Sequence, residues 1–176
     1  LEKFAEELGE KDFWLDSGLL VRCLTVVATG QSRFQTIGKL NLNQLQEAWE
    51  KAKNGIYFSN NFLRSNTKIS SLQHLSSPFL LVPVMFYSLL KEDQITEEKL
   101  LRQWVFHAHM WGHYSGSAES VLDGDLGILR KTKSVQELLN QLHLKVRRFE
   151  VSPEDILGKS TNSPFFTMLY FVLREN

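Results

Sequence analysis

The sequence predicts an all-α fold, a multi-helix orthogonal bundle of roughly seven to nine helices. Apolar residues recur at three- and four-residue spacing, most clearly in Leu45, Ala48, Trp49, Ala52 and Ile56. Alternating β-branched residues, the mark of strands, are nearly absent. Helix start and stop residues bracket the periodic segments.

The elements follow in order. Leu1, Phe4, Ala5 and Leu8 share one face of an opening helix. Asp16 is the N-cap of a second helix that runs to about Ala28, with Gly30 as its stop. Gln31 to Asn41 is polar and irregular. A long helix then carries Leu45 through Leu63, with Asn60-Asn61 marking a break inside it. Ser65 to Ser77, rich in Ser and Asn, is expected to be a loop. Proline fits the first helical turn, so the next helix starts near Pro83 and ends at Lys91. Thr96 caps a helix through Leu100, Leu101, Trp104, Val105, Ala108 and Trp111, and Gly112 to Gly116 ends it. Ser117 starts a helix to about Lys131, and Ser134 a shorter one to Leu142. Lys145 to Val151 reads as a connector or a lone strand. Ser152-Pro153-Glu154-Asp155 opens another helix that Gly158 stops, and Ser163-Pro164 opens the last.

Hydrophobic residues make up 43% of the 176 and charged residues 23%, the balance of a chain that buries a core. The length fits one helical domain over 1–176, and the amphipathic opening and apolar close read as a piece of a larger protein. Twenty basic and twenty acidic residues leave no net field to draw the chain to nucleic acid, so any such contact must be local. The single cysteine, Cys23, excludes an internal disulfide and reads as a buried thiol in Leu19 to Leu24. The longest apolar run, Phe79 to Tyr87, is nine residues, too short to span a bilayer. No signal peptide is visible, and the expected compartment is the cytoplasm.

Several clusters bear on chemistry. His109 and His113 are four apart and share a helical face, as two zinc ligands would, while His107 points elsewhere. The zincin pattern needs Glu after the first His, and Met110 stands there, so this is a weak metal pair without a general base. Gly158-Lys159-Ser160-Thr161 resembles the tail of a phosphate loop, but Pro153 stands where the motif needs Gly. Glu119 and Asp123 are four apart on the Ser117 helix and Asp125 follows; without further ligands they read as a solvated or ion-paired face. Arg130, Lys131, Lys133, Lys145, Arg147 and Arg148 stand against one acid, Glu137, a local excess able to hold phosphates. Tyr114-Ser115-Gly116-Ser117 lies between two helices, giving a tight turn, an N-cap at Ser117 and outward amide N–H groups suited to an anion. The plainer alternative is that the block caps a helix and packs Tyr114 on Trp111.

The run Trp104-Val105-Phe106, then Gly112-His113-Tyr114-Ser115-Gly116-Ser117-Ala118-Glu119, then Leu122 and Asp125-Leu126, resembles the helical middle region of the GmrSD-type bacterial restriction proteins. That family shows Gly-Arg-Tyr-Ser-Gly-Ser after an aromatic-rich helix; here His113 stands in place of the Arg. Glu47-Ala48-Trp49-Glu50, Phe62-Leu63-Arg64, Val151 to Ser160 and Ser163-Pro164 fall in the matching order. The resemblance implies a module flanked by an amino-terminal ParB-like domain and a carboxyl-terminal HNH-like nuclease, acting against base-modified phage DNA. Neither domain's signature occurs in this chain. The expectation is therefore a helical module without catalytic residues or cofactor, which contacts DNA phosphates through Tyr114, Ser115, Ser117 and the basic cluster. The alternatives are a purely structural scaffold and, less favoured, a metal-dependent hydrolase using His109 and His113.

Overall fold

The computed structural model describes residues 1–10, 13–90, 97–146 and 149–173. Among them nine helices form and no strand does: α1 (Glu2–Gly9), α2 (Ser17–Thr29), α3 (Leu42–Thr67), α4 (Leu81–Leu90), α5 (Glu98–Met110), α6 (Ala118–Thr132), α7 (Val135–Lys145), α8 (Pro153–Ile156) and α9 (Pro164–Leu173). The all-α bundle expected from the spacing of apolar residues is the fold. No helix of the described residues is long and apolar enough to cross a membrane.

The centre is α4. Its sequence, LVPVMFYSLL, is apolar around the whole circumference, and residues Leu81 to Tyr87 are all buried. A helix of that composition has to be covered on every side. α3 covers it most extensively, with α6 and α2 completing the wall. The helix begins at Leu81, two residues before the expected Pro83. A single 3₁₀ turn, Pro78–Leu80, leads into it, and the Ser77 hydroxyl accepts the Phe79 amide at 3.2 Å. Pro83 still falls in the first turn, where its missing N–H removes no helical bond. The expected end at Lys91 and the Thr96 cap lie outside the described residues.

α3 is 26 residues long and unbroken. Asn41 and Gln44 close a reciprocal capping box at 2.9 and 3.0 Å. The break expected at Asn60-Asn61 does not form. Asn60 is buried, and its side chain accepts from Arg64 Nε one turn on at 3.0 Å, so its polar group is satisfied inside the helix. The helix also takes over the start of the expected Ser65–Ser77 loop and ends at Thr67. Lys68 then turns left-handed at φ 59°, and a short 3₁₀ turn follows at Leu72–His74. Another 3₁₀ turn, Phe34–Lys39, orders the segment expected to be irregular.

The remaining caps follow the sequence closely. Asp16 accepts the Leu19 amide at 2.8 Å, and Gly30 closes α2 at φ 73°. α7 is capped twice, by Ser134 and by the Glu97 carboxylate, which accepts the Val135 amide at 2.9 Å and the Tyr87 hydroxyl at 3.1 Å. One carboxylate thus joins α4, the start of α5 and the start of α7. Past α7, Val146 is extended without pairing to any described strand, so the connector reading holds there.

Gly55 sets how closely α3 approaches α4. A Cβ there would lie 2.6 Å from Met85 Cγ and 3.2 Å from the Met85 carbonyl oxygen. We expect Gly55→Val to cost about 2 kcal/mol by urea unfolding, since the backbone of α4 must shift to admit it. An unchanged midpoint would show that the two helices are not in this contact.

Candidate functional site

The turn between α5 and α6 carries the Tyr-Ser-Gly-Ser block. α5 stops at Met110, and the His113 amide bonds back to the Ala108 carbonyl at 2.9 Å. Gly112 sits at φ 58°, and the Ser115 amide closes a tight turn on the Gly112 carbonyl at 2.8 Å. Because the helix has ended, His113 leaves the face of His109, and their four-residue spacing brings no shared ligand geometry.

The turn is held from inside. Asp125, on α6 and 3% exposed, takes two hydrogen bonds on one oxygen. His113 Nε2 donates to Oδ2 at 2.8 Å and the Tyr114 hydroxyl donates at 2.6 Å. Burial, and then the neighbouring carboxylate, push the Tyr114 hydroxyl far above its ordinary range, so it stays a donor. Its ring meets Phe79 edge-on at 6.2 Å, whereas Trp111 packs instead on Phe165 at 5.0 Å. Tyr114, expected to reach a phosphate, is therefore turned into the core. Ser115 and Ser117 of the block are exposed, and Ser117 occupies the N-cap position without a side-chain cap bond.

A second polar clasp lies on the other side of Phe79. Arg22 of α2 is 8% exposed, with its guanidinium 4.7 Å from the ring centres of both Phe34 and Phe79. It donates to Glu119 at 2.7 Å and to the Ser32 carbonyl at 2.9 Å. Asp123 accepts the Ser32 amide at 2.6 Å and Arg33 Nε at 3.1 Å. All three α6 carboxylates thus have partners: Arg22 for Glu119, Ser32 and Arg33 for Asp123, and His113 and Tyr114 for Asp125. Sequence reasoning passed over Arg22, although a lone cation within Leu19 to Leu24 was the available signal. Among the described residues, no three His, Cys, Asp or Glu side chains group as a metal site would require.

The remaining candidates are placed apart. His109 is buried, its Nδ1 accepts the Ser76 amide at 2.8 Å, and its other nitrogen lies toward the Pro164 carbonyl. His107 is half-buried beside His143 and Phe149, and burial lowers its pKa. Cys23 is fully buried, which pushes its thiol up to about 12, so no thiolate forms near neutral pH. Arg130, Lys131 and Lys133 are exposed at the end of α6. The Arg130 guanidinium lies over Gly30, 3.0 Å from where a Cβ would sit, at the C-terminal end of α2. Lys145 is exposed at the far end of α7, roughly 15 Å along that helix from Lys133. Arg147 and Arg148 lie outside the described residues. Ser115 and Ser117 stand at the opposite end of α6 from Arg130, roughly 20 Å away.

No protein-family model, curated protein or solved structure matches this chain.

Two outcomes test the site. Asp125→Ala leaves a buried phenol and a buried imidazole N–H without an acceptor, so unfolding free energy should fall by about 3 kcal/mol. Asp125→Asn, which retains one carbonyl acceptor, should lose less, and equal losses would argue against the double bond. The second test concerns His109, whose pKa burial lowers from 6.5 to about 4. The unfolded chain binds that proton first, so the stability is fully present above pH 6.5 and is lost as pH falls toward 4. Urea titrations should show a decline of about 1–3 kcal/mol over that window, flattened in His109→Gln.

Proposed function

We propose that this chain is a non-catalytic helical module of a bacterial modification-dependent DNA restriction protein, acting in the cytoplasm in phage defence. It carries the neighbouring ParB-like and HNH-like domains and touches DNA through phosphates. The family resemblance of the Gly112 to Glu119 block supports this reading, and one observation carries it furthest. The block forms the joint between α5 and α6, anchored inward through His113 and Tyr114 on Asp125. Its exposed serines, Ser115 and Ser117, face out at the start of α6. Such a turn offers backbone donors to an anion from a rigid base.

Arg130, Lys131 and Lys133 supply an exposed positive region at the other end of α6. A turn of backbone donors and a cationic cluster about 20 Å apart suit a polyanion that runs along the helix. A purely structural scaffold is the second reading, favoured by the large exposed side chains of α9, where Tyr170 is 52% and Leu173 63% exposed.

Duplex-DNA binding by fluorescence anisotropy across a salt series separates the two. On the first reading affinity falls steeply with salt, and Lys131→Gln/Lys133→Asn lowers the slope by about two units, as Arg147→Ala/Arg148→Ala should. On the second, none of the proteins binds at low salt. Plating phage with modified and unmodified DNA on cells expressing the full protein tests the restriction role; equal plating on expressing and control cells would remove it.

A further inference from the structure

Six of the eleven large apolar side chains exposed among the described residues fall within residues 151–173. The other five, Leu1, Trp14, Phe34, Leu42 and Leu144, stand on separate segments, and isolated exposure of that kind is ordinary. The cluster centres on α9. Its sequence, PFFTMLYFVL, carries no charge, yet only Met168 and Phe171 are buried. At about 100° per residue those two share one edge of the helix, and Phe166, Leu169 and Leu173 fall on the opposite side.

α8 and α9 touch, and the apolar surface continues from one to the other. Leu169 and Val172 line one cavity with Val151 and Ile156, and Leu157 follows as an exposed neighbour. Val151, Leu157, Phe166, Val172 and Leu173 are exposed by 37% to 72%, together roughly 400 Å² of apolar surface. Apolar patches of a few hundred Å² mark contact surfaces.

Area and charge point to a second copy of the chain as the partner. Homodimer interfaces are about 65% apolar, so roughly 400 Å² of apolar surface corresponds to about 600 Å² per copy and about 1,200 Å² in all, the lower edge of specific interfaces. A two-fold axis sets a surface against itself, so a charge on it would face its own like, and this stripe has none. Phe166, Leu169 and Leu173 also stand at i, i+3 and i+7, the spacing of the seam along which two like helices pack. We propose that this face forms a weak, reversible two-fold dimer of the chain, with the Phe166, Leu169 and Leu173 stripes packed on one another and Leu157 at the margin. The assignment is independent of the restriction reading.

Sedimentation velocity on the full chain over about 1–200 µM should show the mass rising from one chain toward two. Phe166→Lys/Leu173→Lys sets like charges across the axis and should weaken association by at least about tenfold, with circular dichroism showing the helices retained. Leu144→Lys, at an exposed leucine of α7, should leave association unchanged. Leu169, in the middle of the stripe, meets its own copy whichever way the two helices run, and Cys23 is fully buried. Oxidation of Leu169→Cys with diamide should therefore give a disulfide-linked dimer, whereas Leu144→Cys should not. Sedimentation as a single chain at every concentration, undiminished association in the folded lysine variant, or equal crosslinking at the two cysteine positions would overturn the proposal.

Discussion

The burial of α4 is the constraint on which the remaining architecture depends. Ser88 and the Tyr87 hydroxyl are the only polar side-chain groups in Leu81–Leu90, so no face of the helix can be left to water without a large loss of apolar burial. Three helices wrap it, and each is adapted to that contact. α3 brings Gly55 against Met85, so the two backbones approach closely. α2 and α6 present Leu20, Cys23, Leu122, Leu126 and Leu129, all fully buried. The outer helices then add to this centre, and one continuous apolar cluster extends from Phe4 in α1 to Phe171 in α9.

An apolar core of this kind specifies burial better than it specifies register. Two polar clasps on either side of Phe79 supply the register here. Arg22 fixes α2 to α6 through Glu119, and His113 with Tyr114 fixes the α5–α6 turn through Asp125. A buried ion without its partner is strongly destabilising, so these pairings penalise any slip of α6 along its neighbours. Phe79 touches both Arg22 and Tyr114, which places the two clasps in one packed unit. The Gly112 to Glu119 block is thus first a structural joint, and its exposed serines are held on a rigid base.

Much of the fold was legible in the sequence because helix ends are local chemistry. Asp16, Ser134 and Gly30 act through their own side chains or backbone angles within a turn of where they stand. The errors arose where distant groups intervened. Asn60 would break an isolated helix, but burial and the bond from Arg64 keep it within α3. His109 and His113 share a face only if the helix continues, and it stops at Met110. Of the candidate site, the turn between α5 and α6 and an ion-paired role for the α6 carboxylates were legible in the sequence. It could not show that Tyr114 faces inward, because Asp125 lies eleven residues away on another helix.

The sequence by itself determined that this protein is helical, where most of its helices begin and end, and that α4 must lie inside. Those properties follow from spacing and from capping groups that act over one turn. Only the tertiary structure decided which polar groups are satisfied internally and which remain outward. Arg22 and Asp125 look like ordinary surface charges by residue type, but packing around Phe79 removes them from water. Trp111 is covered by Phe165 because α9, more than fifty residues later, returns to pack on α5. Long-range contact determines a side chain's surroundings, and no local spacing encodes it.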